Sequence, residues 1–229
     1  MEKLKQQVAA VQEGIRQAAV QAGRDPSEIT LLAATKYASV EQINVLPDFG
    51  VLDIGENRVQ ALLEKWDALD KERLRVHFIG SLQKNKVKYI ADKVCMIHSV
   101  DSIELAREIE KQCAKHGKVM DVLVEINCAG EQSKGGVAPE QAEALSLALS
   151  QFEHIRLRGF MTMAPKCPEK AQYYKYFGET FDLCLDIWTK KLHNIGIPMV
   201  MSMGMSDSYD AGIACGSTLV RVGSKLFVD

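Results

Sequence analysis

Ala34-Thr35-Lys36-Tyr37, a lysine that closes an apolar run, is the first segment of this 229-residue chain to invite a chemical reading. An amine there is either a solvated lysine at a strand end or, if desolvated, a nucleophile of lowered pKa able to form an imine with an aldehyde. Gly55-Glu56-Asn57-Arg58 puts an amide where it either caps a helix or donates to a bound ring oxygen. Late in the chain, Ser202-Met203-Gly204-Met205-Ser206 and Arg221-Val222-Gly223-Ser224 twice place serine and glycine after apolar residues. Glycine lets the backbone approach an anion and serine adds a hydroxyl donor, which suits a phosphate, although Gly-Ser is also ordinary turn chemistry. Arg221 stands two residues before Gly223 and shares its face of the strand. It is either an interior arginine paired with a carboxylate or a donor to the nitrogen of a bound aromatic ring, which a guanidinium cannot protonate. His77 alternates with apolar neighbours and reads as a satisfied interior histidine, and Lys84, Lys86 and Lys88 read as a solvated helix face.

Positioning these residues requires elements whose ends converge. Leu4, Val8, Val11, Ile15 and Ala18 recur every three or four residues, which predicts a helix ending near Gly23. Eight β-rich runs follow, at about 30–36, 51–57, 75–81, 94–100, 120–127, 155–163, 198–206 and 217–224. Several are apolar on consecutive positions, as strands covered on both faces must be. Between them lie seven helical segments. One starts at Asp101, whose carboxylate is expected to cap it with Glu104 answering. Others carry Pro139 in a first turn, the stripe Val59, Leu62, Leu63, Trp66 and Leu69, and the run 172–192 with Phe177, Phe181, Leu185 and Trp188. The alternation predicts an α/β fold, a single (β/α)₈ barrel domain over residues 1–229 with an extra N-terminal helix. In that fold the chemistry sits at the carboxyl ends of the strands, and the loops after strands seven and eight commonly hold phosphate.

Composition narrows the partners. With 28 basic and 30 acidic residues intermixed, the chain lacks the one-sided field that holds nucleic acid or an anionic membrane. No apolar run is long enough to span a bilayer and the opening segment is amphipathic, so a cytoplasmic protein is expected. The six cysteines are scattered, with no Cys-x-x-Cys pair and no histidine at ligand spacing, which points to reduced thiols and no metal.

TLLAATK ending at Lys36, DIGEN ending at Asn57, HFIGSLQKNK, SKGG at 133–136, GFMTMAP, SMGMS and GSTLVRVGS occur in fixed order over nearly the whole chain. Together they closely resemble the pyridoxal phosphate homeostasis protein family, which is similar in fold to the N-terminal barrel of alanine racemase. The resemblance implies bound pyridoxal 5′-phosphate (PLP) as a Schiff base on Lys36, with cofactor contacts from Asn57 and Met203. It also implies phosphate contacts from Ser202, Gly223 and Ser224, and a ring-nitrogen contact from Arg221. Ser224 stands where threonine is common in relatives, and the stretch 206–210 leaves the turn after strand seven less defined. The implied function is PLP homeostasis, sequestering the cofactor or delivering it to apo-PLP enzymes, by a monomer without an established catalytic activity. The alternative is a PLP-dependent amino-acid racemase. It is disfavoured because the chain ends five residues after Ser224, leaving no room for a second domain to supply an opposing base, and because an arginine partner makes the ring a weak electron sink.

Overall fold

The computed structural model describes residues 1–131, 134–192 and 196–228. Eight strands, β1 (Thr30–Ala34), β2 (Asp53–Glu56), β3 (Arg75–Phe78), β4 (Met96–Val100), β5 (Met120–Ile126), β6 (Ile155–Thr162), β7 (Val200–Met205) and β8 (Leu219–Val222), form a closed barrel in chain order. Every adjacent pair is parallel, and β8 closes onto β1 with Thr30 opposite Leu219 and Ala33 opposite Val222. All eight expected strands are present, each shorter than its apolar run.

The helices are α1 (Glu2–Gln21), α2 (Val40–Asn44), α3 (Val59–Trp66), α4 (Ile103–Lys115), α5 (Ala142–Leu149), α6 (Lys170–Asp186), α7 (Tyr209–Ala214) and α8 (Ser224–Phe227). The apolar stripe of α1 buries Leu4, Val8, Val11, Ile15 and Ala18, and this helix packs on α7 and α8. It is the extra N-terminal helix that the spacing predicts. Between β3 and β4 only a 3₁₀ helix, Lys84–Tyr89, covers the sheet; it buries Val87 and leaves Lys84, Lys86 and Lys88 in solvent. Helix α6 runs on into a π turn, Ile187–Lys191, and Leu185 of the expected stripe is exposed instead of buried. The cap of α4 also differs from expectation. Ser102 accepts the Leu105 N–H, a hydroxyl reaching the free donor that the Asp101 carboxylate does not. Pro139 does occupy a first helical turn.

Two apolar layers and one polar interior result. Ala33, Ile54, Phe78, Ile97, Val124, Phe160, Met201, Met203 and Val222 belong to the core between sheet and helices. Met96, Leu123 and Met161 form a separate small cluster, with Met163 and Val200 packed against it. Buried polar side chains, His77, His98, Ser202 and Arg221, bond to one another across the barrel rather than to neighbours on one strand. None of the six cysteines is paired, and among the described residues no helix is long and apolar enough to cross a membrane.

One glycine of β6 stands where a side chain would collide with β7. Gly159 has φ +146°, sits opposite the register shift between Val122 and Leu123, and lies so close to β7 that a Cβ there would fall 2.0 Å from the Val200 carbonyl oxygen. Gly159→Ala is therefore expected to cost at least about 2 kcal/mol, since backbone strain of this kind alone costs about 1–3 kcal/mol. A urea titration read by circular dichroism would show the lowered midpoint.

Candidate functional site

A cavity of about 600 Å³ opens at the carboxyl ends of the strands. Lys36, Asn57, Arg221, Gly223 and Ser224 all line it, so five of the seven residues singled out from the sequence meet in one place. Ser202 and Met203 do not reach it. Strand β7 runs on to Met205, which leaves both residues below the rim. The Ser202 hydroxyl is buried among Arg221 and His98, and Met203 packs into the core between sheet and helices. Ser206 takes the place at the rim.

Lys36 sits in a 3₁₀ turn, Thr35–Tyr37, directly after β1. Its backbone is pinned from behind. Thr35 Oγ1 donates to Glu56 Oε1 at 2.8 Å, and Lys65 Nζ donates both to Glu56 Oε1 at 2.7 Å and to the Thr35 carbonyl at 2.9 Å. Glu56 is buried and its second oxygen has no partner, so this ion pair is committed to holding the turn. The Lys36 side chain itself is exposed, with Nζ 4.8 Å from the centre of the Tyr37 ring. The desolvation considered from the sequence is not provided by the chain alone.

Asn57 is half-buried at the end of β2. It does not cap α3, whose N-cap position is Arg58, and its Oδ1 is buried without a hydrogen-bond partner. An amide held this way at a cavity wall is available to a bound molecule. Across the cavity, the N–H groups of Gly223 and Lys225 both point at Ser206 Oγ, at 3.3 and 3.5 Å. These long bonds mark a place where two backbone donors converge on one oxygen, the arrangement an anion's oxygen takes up. The sequence motif carries Ser206 without marking it as a site residue. The signal was strand parity, since Ser202, Gly204 and Ser206 alternate with Met203 and Met205.

Arg221 is buried between the cavity and the barrel interior. Nη1 donates to the Ser202 carbonyl at 2.8 Å and to Ser202 Oγ at 2.6 Å, and Nη2 donates to the Thr162 carbonyl at 2.9 Å. Burial pushes the guanidinium down to about 10, with Glu125 pulling the other way, so it remains charged at neutral pH. The carboxylate is thus near but does not form the direct pair considered from the sequence. The partners that fix the fork are two carbonyls and a hydroxyl.

Glu125, which the sequence reading passed over, lies under the SKGG loop; a Cβ at Gly135 would come 3.3 Å from its Oε2. Of that motif Lys134, Gly135 and Gly136 are described, and Ser133 lies outside the described residues. Burial first, and then Asp101, raise the Glu125 carboxyl to about 7 against the pull of Arg221. Because the folded value exceeds the ordinary 4.5, the stability contributed by the neutral form is complete below about pH 4.5 and is lost as pH rises through about 7. Glu125→Gln is expected to be neutral near pH 4 and to raise stability by roughly 3–3.5 kcal/mol at pH 8, at about 1.4 kcal/mol per pKa unit. Urea midpoints of the cofactor-free protein at the two pH values test the sign.

Residues 7–229 match the model of the alanine racemase N-terminal domain. A pyridoxal phosphate homeostasis protein of Aquifex aeolicus is 38% identical over 222 residues, which cover 97% of this chain and 96% of the relative. One from Pseudomonas aeruginosa is 37% identical over 227 residues, 99% of this chain and 96% of the relative. The solved structure of PipY from Synechococcus elongatus with PLP bound superposes with a TM-score of 0.83 at 25% identity, covering 98% of this chain and 99% of that one. By sequence over nearly its full length and by its closed barrel, the chain belongs to the pyridoxal phosphate homeostasis protein family, within the alanine racemase N-terminal domain fold.

Proposed function

We propose that this protein binds PLP at the barrel mouth as a Schiff base on Lys36 and serves its homeostasis, holding the cofactor and passing it to apo-enzymes. The observation that carries the reading is the convergence of Lys36, Asn57, Arg221 and the Gly223–Lys225 turn on one cavity. The unpartnered Asn57 Oδ1 and the loosely held N–H pair supply the test of fit, because each is a polar group with capacity left for a ligand. When bound, the cofactor supplies an aldehyde for imine formation and a ring able to accept electron density. Lys36 supplies the amine. The Gly223 and Lys225 N–H groups, with the hydroxyls of Ser206 and Ser224, receive the phosphate.

Arg221 sets the chemical character of the site. A charged guanidinium donates a hydrogen bond to the ring nitrogen but does not give up a proton, so the ring stays a weak electron sink. That favours storage over turnover. Tyr173, the other large phenol in the cavity wall, is nearly buried, and its oxygen accepts the Cys167 N–H at 3.1 Å. Tyr37 and Met205 are exposed at the rim, where an acceptor enzyme would approach.

Purified protein loaded with PLP is expected to show near-visible absorption that borohydride bleaches, with the reduced adduct mapped by mass spectrometry to the peptide carrying Lys36. Lys36→Ala should lose that adduct and keep its circular dichroism spectrum, since an exposed rim amine contributes little to the core. Exchange of the α-proton of L- or D-alanine for solvent deuterium, followed by NMR with loaded protein, should be very slow. Rapid exchange abolished by Lys36→Ala would instead establish the racemase-like reading.

A further inference from the structure

Below the cavity a line of hydrogen bonds runs through the barrel to its opposite end. Arg221 Nη1 meets Ser202 Oγ at 2.6 Å, Ser202 Oγ meets His98 Nδ1 at 3.1 Å, and His98 Nε2 meets His77 Nδ1 at 2.9 Å. His77 Nε2 meets Asp53 Oδ1 at 2.9 Å, and Arg75 grips the same carboxylate at 2.8 and 2.5 Å. The members come from β8, β7, β4, β3 and β2, and from Arg221 to Asp53 all are buried. Only the Arg75 side chain, 59% exposed, reaches solvent.

The donor rules leave this line few options. Arginine only donates, carboxylate only accepts, and a bond between two imidazoles needs one N–H and one lone pair. With His77 doubly protonated, it donates to Asp53 and to His98 Nε2. His98 then carries its proton on Nδ1 and donates to Ser202, whose oxygen accepts from both sides. With His77 neutral and still donating to Asp53, its Nδ1 must accept from His98 Nε2–H, and His98 Nδ1 must accept from the Ser202 hydroxyl. Loss of one proton from His77 therefore reverses both bonds between it and Ser202, while its bond to Asp53 keeps its direction. A hydroxyl that donates is also the better acceptor, so its bond from Arg221 strengthens.

The charges around the line keep it in one of these two states. His77 faces Asp53 on β2, Arg75 on its own strand, Cys95 just before β4 and His98; Glu28, Asp121 and Arg158 share with it a cavity of about 660 Å³ at that end of the barrel. Burial opposes its charge, but Asp53 and Cys95 outweigh burial and raise it to about 9. His98 is fully enclosed, and burial, then His77 and Arg221, hold it well below the usual range. At the upper end, Glu125 faces Arg221, and Asp101 faces Glu125. One histidine of the pair carries the charge, and it is the one against Asp53.

We propose that His98 and Ser202 are positioning residues that relay the protonation state of His77 to Arg221, so that the donor facing the cofactor ring is tuned from the far end of the barrel. The clause about the ring rests on the PLP reading above; the relay to Ser202 does not.

Two measurements separate them. In cofactor-free protein with ¹⁵N-labelled histidine, titrated from about pH 7 to about pH 11, His98 should change from the Nδ1–H to the Nε2–H tautomer over the range in which His77 loses its proton. A single His98 tautomer throughout overturns the relay, whether or not PLP binds. In loaded protein, absorption of the Lys36-bound cofactor should inflect over the same range. Ser202→Ala, which keeps the Arg221 bonds to both carbonyls, and His77→Gln should each lose that inflection while the borohydride-fixed adduct persists. An inflection unchanged in both variants overturns the step from Ser202 to Arg221, and absence of any adduct in the parent protein overturns the PLP reading instead.

Discussion

A guanidinium at the centre of a barrel keeps its proton and accepts nothing, so everything around Arg221 has to accept. Two main-chain carbonyls, Ser202 and Thr162, and one hydroxyl do so. The backbone is shaped to allow this. Ser202 lies at the register shift between β7 and β8, and Thr162 is the last residue of β6. Burying such a charge without partners costs far more than the handful of hydrogen bonds gained by folding a strand end, so carbonyls at these two places serve as its acceptors. The polar half of the interior follows from the same demand, since Ser202 passes its remaining capacity to His98 and thence to His77 and Asp53.

On the other side of the mouth a second buried charge does a different job. Glu56 and Lys65 hold the peptide around Thr35 rather than any ligand. The Lys36 amine stays exposed while its anchor is rigid. On the proposed reading, a site that fixes the backbone of its lysine and leaves the side chain in solvent would accommodate a covalent guest without moving strands, in keeping with chemistry placed on loops and borne by a stiff scaffold.

Much of this was legible from residue types. Alternation of apolar runs with helical stripes led to eight strands in a closed ring, and Lys36, Asn57, Arg221, Gly223 and Ser224 do share one cavity. The end of β7 was not legible, because Met201 to Ser206 alternates apolar and small polar residues without a break and gives no mark of where pairing stops. Ser202 was therefore set at the rim and Ser206 overlooked. His98 was hidden in the run VCMIHSV, where a polar residue amid apolar ones signals an interior partner but not which strand offers it. Glu125 was hidden in the same way, since its surroundings come from Arg221 and Asp101 as well as from the nearby glycines Gly135 and Gly136. The sequence left Lys36 either solvated or desolvated, and the structure shows it exposed, because solvent access depends on how high the turn stands above the rim.

That exposure has a kinetic meaning. On the proposed reading, a covalent link at this exposed amine is within reach of both hydroxide and any small primary amine. Residence of the guest would then be governed by the lability of a carbon–nitrogen double bond. Its departure should quicken in proportion to the concentration of competing amines, so that the protein behaves less like a vault than like a coat-check whose turnover is set by whoever comes to the counter.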